Sequence, residues 1–115
     1  MRTKTGVVRR KGHKKILNLT KGYRMTKSRL FKVAQEAVLH AGQYAYVGRK
    51  QKKRQMRRLW ITRINGALAQ SNISYSEFIN RLKKDKIELD RKILAIIATE
   101  DPPTFQKIVE KVSKN

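Results

Sequence analysis

Small or apolar residues fall at Leu30, Ala34, Ala37, Ala41, Tyr44 and Ala45, and the pattern resumes at Met56, Trp60, Ile64 and Ala67. Steps of three and four residues mark one face of an α-helix. Between the two runs lies RKQKKRQ, residues 49–55, which is wholly polar. No proline interrupts the stretch, so the spacing predicts one long helix to about Gln70, with a bend near Gly48. Over 40 residues such a helix rises roughly 60 Å, more than a small domain covers with its own core. It must lean on something else.

On either side the pattern is shorter. Residues 1–8 show no helical period and read as an extended tail. From Arg9 to about Leu19, basic residues surround Ile16, Leu17 and Leu19, which predicts a short helix ended by Gly22. Thr26 or Ser28 is placed to cap the long helix. Further on, Ser74-x-x-Glu77 is a capping box ahead of Phe78, Ile79 and Leu82. Asp90 precedes Ile93, Leu94 and Ile97. Asp101-Pro102 opens a last helix whose stripe is Phe105, Ile108, Val109 and Val112. Three short helices and the end of the long one can then enclose a small core from Trp60 onward. About 55 residues is near the lower limit for independent folding, so that core is expected to be marginally stable.

The expected fold class is therefore all-α: a basic tail and long helical N-terminal extension, 1–58, followed by a small C-terminal helical bundle, 59–115. The seam lies in RRLWITRIN, residues 57–65. At about 100° per residue, Trp60, Ile61, Ile64, Ala67 and Leu68 share a face, and that face followed backwards carries Arg57, Lys53 and Arg49.

Charge changes the picture. The net charge is +21, and residues 1–65 hold 20 Lys and Arg against the single acid Glu36. Residues 66–115 hold 9 against 7. Soluble surfaces mix signs, and this half does not. Self-repulsion at that density predicts a first half that needs a polyanion to become fully ordered. Nucleic-acid backbone is the natural partner, because each neutralised phosphate releases counterions and the arginine fork matches phosphate geometry. His13, Tyr23, Tyr44 and Tyr46 lie among the cations, where they can stack on unpaired bases or pack on neighbouring helix stems. The row Ala34, Ala37, Ala41, Ala45 permits close approach of another backbone, either residues 9–20 or an RNA groove.

Other chemistries find little support. There is no cysteine, and His13 and His40 have no ligand partners at metal spacing. Asp85, Glu88 and Asp90 read as a loop with a helix cap rather than a metal site. Neither a phosphate-cradling glycine motif nor a nucleophile elbow occurs, so neither an enzyme nor a cofactor is expected. No apolar run approaches the roughly 20 residues of a membrane span. The basic N-terminus has no apolar segment after it, so a secretory signal is not expected. The basic character also runs far past the length of an organellar presequence.

KKILNLTKGYR, SRLFKVAQEAV, QYAY, RRLWITRIN and IELDRKILAIIA together resemble the L-twenty family of bacterial-type large-subunit ribosomal proteins, nearly end to end. The resemblance implies a helical extension within large-subunit ribosomal RNA and a small helical domain on the same RNA. It also implies an early role in subunit assembly, neighbouring large-subunit ribosomal proteins as partners, no small-molecule substrate, and residence in a bacterial or organellar ribosome. Carried over by position, the RNA contacts fall on Arg9, Arg10, Lys11, His13, Lys14, Lys15, Lys21, Gly22, Tyr23, Arg24, Ser28, Arg29, Lys52, Lys53, Arg54, Arg57, Arg58 and Arg63. Three places depart from the family pattern. Met25-Thr26-Lys27 stands where a glycine-containing turn is usual, Val47-Gly48 where Arg-Asp is usual, and Gln55-Met56 where Asp-aromatic is usual.

Two alternatives from other classes remain at the level of sequence. A DNA-compacting protein would bind duplex DNA as well as folded ribosomal RNA. A cationic membrane-surface protein would hold anionic vesicles against RNA competitor, but the bulky apolar face it needs opposite the lysines is missing.

Overall fold

The computed structural model describes residues 2–114; Met1, at the start of the expected tail, and Asn115 lie outside them. The fold is all-α, with α1 Gly6–Leu19, α2 Phe31–Leu68, α3 Tyr75–Lys84, α4 Arg91–Glu100 and α5 Pro102–Ser113. A single 3₁₀ turn, Met25–Ser28, stands between α1 and α2. The chain divides into two units, Met1–Lys50 and Gln51–Asn115, and α2 is continuous through the division.

In the first unit, α1 begins three residues earlier than the pattern predicted. Gly6, Val7 and Val8, expected in the tail, are helical, although both valines are exposed and Thr5 makes no side-chain cap. Once a helix is nucleated, each further residue adds a hydrogen bond at little cost, here starting with Arg9 N–H to the Thr5 carbonyl at 3.1 Å. At the other end Thr20 is fully buried with its polar groups satisfied. Its hydroxyl donates to the Leu17 carbonyl, and its own carbonyl accepts from Tyr23 N–H. Gly22, at φ +85°, sits in that Thr20–Tyr23 turn rather than at the helix end itself. The third position of such a turn demands the left-handed region that glycine enters freely.

Neither Thr26 nor Ser28 caps α2. The Ser28 hydroxyl instead donates to the Met25 carbonyl within the 3₁₀ turn, and the Thr26 carbonyl accepts from Arg29 and Leu30 N–H. Met25, where the family pattern has a glycine-containing turn, holds φ +58°, a conformation disfavoured for any residue with a Cβ. The His13 ring stacks on Phe31 with centroids 3.8 Å apart, and Ala34 is buried. Burial then stops along the alanine row: Ala37 is half-buried, while Ala41 and Ala45 are exposed. Close backbone packing is thus confined to the first turns of α2. Every residue from 39 to 59 is exposed, Val47 and Gly48 included, and the helix runs unbroken through them.

The second unit holds the core. Ile64 and Leu68 of α2, Phe78 and Leu82 of α3, Leu94 and Ala95 of α4, and Phe105, Val109 and Val112 of α5 form one buried cluster, with Trp60 packed against it. Of the face Trp60, Ile61, Ile64, Ala67 and Leu68, Ile64 and Leu68 enter the cluster, whereas Ile61 is half-buried and outside it. Phe78 and Phe105 meet tilted at 5.7 Å, a favourable aromatic geometry.

The predicted caps form. Ser74 Oγ accepts from Glu77 N–H, Asp90 Oδ1 from Ile93 N–H, and Asp101 Oδ1 from Thr104 N–H, with Pro102 opening α5. One half of the capping box is replaced: Glu77, expected to reach back, pairs forward with Arg81 at 2.6 Å. The α3 C-terminus closes with Lys86 N–H to the Lys83 carbonyl and Ile87 N–H to the Leu82 carbonyl. This is the six-to-one and five-to-two pattern in which the residue after the cap is left-handed, and Lys86 takes φ +55° there.

Candidate nucleic-acid interface

The sequence-predicted contacts fall on three stretches. In α1, Arg9, Arg10, Lys11, Lys14 and Lys15 are exposed, and His13 is half-buried by its stack on Phe31. Residues 13, 16, 17 and 20 share the sheltered face, and helical spacing sends most of the α1 cations to the remaining sides. In the turn that follows, Lys21, Gly22, Arg24 and Arg29 are exposed, and Tyr23 is half-buried. The hydroxyl hydrogen of Ser28 is already given to Met25. The third stretch is α2 itself, where Lys52, Lys53, Arg54, Arg57, Arg58 and Arg63 are all exposed.

The α2 cations separate by side. Arg54 and Arg58 share one flank with Gln51 and Gln55. Lys52, Lys53 and Arg57 line a groove of about 570 Å³ with Met56 and Trp60, and its other wall is Asp90, Arg91 and Lys92 at the start of α4. Of the face that sequence spacing traced back from Trp60, Arg57 and Lys53 line this groove within the second unit, and Arg49, the third cation traced, does not. Sequence reasoning missed Arg91 and Lys92. They follow a cap in the half of near-balanced charge, and only the fold brings them to the α2 cations.

Other surfaces carry aromatic groups. Tyr44 is 75% and Tyr46 58% exposed. His40 stacks on Tyr44 at 6.3 Å, and Lys50 lies over the Tyr46 ring at 5.3 Å. Tyr23, Lys27, Val33, Glu36, Ala37, His40, Ala41 and Tyr44 border a shallow groove of about 480 Å³ in the first unit.

Electrostatically the first 65 residues are strongly cationic, with Glu36 the one acid among them. Among the described residues the salt bridge formed is Arg81–Glu77, and Asp90 is the carboxylate that lines the groove with Lys52, Lys53 and Arg57. A surface of this sign concentrates polyanions and raises their association rate. Among the described residues no group of three His, Asp or Glu side chains is placed to hold a metal ion. None of the described helices is long and apolar enough to cross a membrane. Residues 2–108 match the family model described as Ribosomal protein L20.

Proposed function

Because the chain belongs to the Ribosomal protein L20 family, whose members are RNA-binding ribosomal proteins and not enzymes, we propose that it is a structural constituent of the large ribosomal subunit that binds large-subunit ribosomal RNA directly. Residues 1–58 act as the extension that enters the RNA, and residues 59–115 as the small domain seated on it. The positions named above from Arg9 to Arg63 supply the contacts. Bacterial cytoplasm or an organelle houses the ribosome, and neighbouring large-subunit proteins are the other partners.

One observation carries this reading. A single helix, α2, is anchored in an apolar core through Ile64 and Leu68 and exposes unpaired cations over the preceding turns. Such a helix can neutralise phosphates from several RNA helices at once and so bridge them, which supports early assembly. The protein works without a reaction step: the order it brings to RNA comes from charge compensation at fixed spacing.

Titration of the full chain with large-subunit ribosomal RNA across salt concentrations tests the proposal. Log affinity is expected to fall with log salt by about 0.7–0.9 per phosphate contact. Arg57→Ala with Arg58→Ala lowers that slope by about 1.4–1.8 and leaves the melting of the C-terminal bundle unchanged. A flat salt response, or no cosedimentation with large-subunit particles, would contradict the assignment.

A further inference from the structure

The charges of α4 run against its own dipole. In α3 the arrangement is self-stabilising, with Glu77 in the first turn and Arg81, Lys83 and Lys84 in the last. α4 begins with Arg91 and Lys92, has no acid in its first turn and ends on Glu100. Cations at the positive end of a helix are destabilising unless an anion sits beside them. These two also face Lys52, Lys53 and Arg57 across the groove, giving five cations around one carboxylate, Asp90. Asp90 is itself engaged, accepting from Ile93 N–H at 2.7 Å.

Two further features make this more than a repulsive cluster. Arg91 is held in place, its Nε donating to the Tyr75 hydroxyl at 2.8 Å. That bond leaves both terminal nitrogens of the guanidinium to fork onto a phosphate. The groove also has an apolar surface, from Met56 and the half-buried Trp60. Its volume falls in the range of clefts that take a small ligand. A cationic rim beside aromatic and thioether side chains matches one chemistry in particular, a nucleotide whose base has left its stack.

We propose that this groove seats a single unstacked nucleotide of the bound RNA. Its base lies against Trp60 and Met56, and its flanking phosphates lie on Arg57, Arg91 and Lys92, with Lys52 and Lys53 at the rim. The proposal rests on the RNA-binding reading above and adds to it a site that distinguishes single-stranded from paired RNA. Paired bases hide their faces and cannot enter.

Trp60 is the only tryptophan of the chain, so its emission reports on the site directly. The full chain is titrated with oligoadenylate and, separately, with inorganic polyphosphate, and binding of each is followed by sedimentation. Both are expected to bind, and only oligoadenylate quenches Trp60. Arg91→Ala with Lys92→Ala raises the half-quenching concentration about tenfold, the cost of losing a charge-assisted phosphate contact. Met56→Ala does the same while leaving the Arg91–Tyr75 bond in place. Equal Trp60 response to the two polyanions, or an unmoved midpoint in both variants, overturns the nucleotide site while RNA binding stands. Failure to bind either polyanion overturns both readings.

Discussion

In the C-terminal bundle, helices of ten residues stand because each inserts one or two side chains into a shared core: Phe78 and Leu82 from α3, Leu94 and Ala95 from α4. In the middle of α2, every residue from 39 to 59 is exposed, and beyond its backbone ladder the helix has surface contacts such as His40–Tyr44 and Lys50–Tyr46. Like charges one turn apart oppose it further, at Arg49–Lys53, Lys50–Arg54, Lys53–Arg57 and Arg54–Arg58. The two regions share a secondary structure and differ in what stabilises it. Burial supports the first, and the second has no comparable burial.

The comparison breaks most visibly at Phe78. Phe78→Ala empties a fully buried site against Phe105 and is expected to cost about 3–5 kcal/mol. That is a large share of the stability of a small domain. The near-ultraviolet signal of the bundle should collapse, while the salt slope of RNA binding falls far less. Equal loss of both would mean that the basic half depends on the core.

Lys86→Gly acts in the opposite direction on the same bundle. It removes the strain of a left-handed residue with a Cβ and should raise the unfolding free energy by about 1 kcal/mol in chemical denaturation. No gain would mean that other Lys86 contacts outweigh the strain.

Arg54→Glu sharpens the contrast in α2. It turns two like-charge pairs, with Lys50 and Arg58, into attractions worth about 0.2–0.5 kcal/mol each. Helicity of the free chain by circular dichroism should rise as RNA affinity falls. If helicity and affinity rise together, the cations of α2 are not its contact with RNA.

The smallest effect is one of pH. The Thr104 hydroxyl and backbone N–H bonds hold the Asp101 carboxyl below its ordinary range. A carboxyl so depressed adds stability that is fully present above the unfolded value and disappears as pH falls through the folded one. The acid limb of the bundle's melting curve should therefore flatten slightly in Asp101→Asn. The same variant should behave like the parent below that range.

Much of this architecture was legible in the sequence, because local chemistry dictates it. Ser74, Asp90 and Asp101 mark helix starts by accepting backbone N–H groups within three residues, and the packing of Trp60, Ile64 and Leu68 into the bundle follows from helical spacing. What escaped depends on choices among partners. Thr26 and Ser28 are good caps by type, but the Ser28 hydroxyl found a nearer acceptor in Met25. Glu77 had two ways to be satisfied and took the arginine. The alanine row looked like a packing seam throughout, and only its first members meet a neighbour. Arg91 and Lys92 had no signal of their own until the bundle closed. Of the candidate contacts, the cations were legible by charge alone, whereas their division into two flanks of α2 needed the fold.

The exposed run from residue 39 to residue 59 also has a consequence for proteolysis. Its interior is dense in lysine and arginine and buried in no core, so a trypsin-like protease meets cleavage sites in a segment with little to hold it closed. On the proposed function, phosphates over the same residues are expected to protect those sites. Limited trypsin digestion with and without ribosomal RNA reads this directly, and cleavage between residues 49 and 58 that RNA does not slow would count against the proposed function.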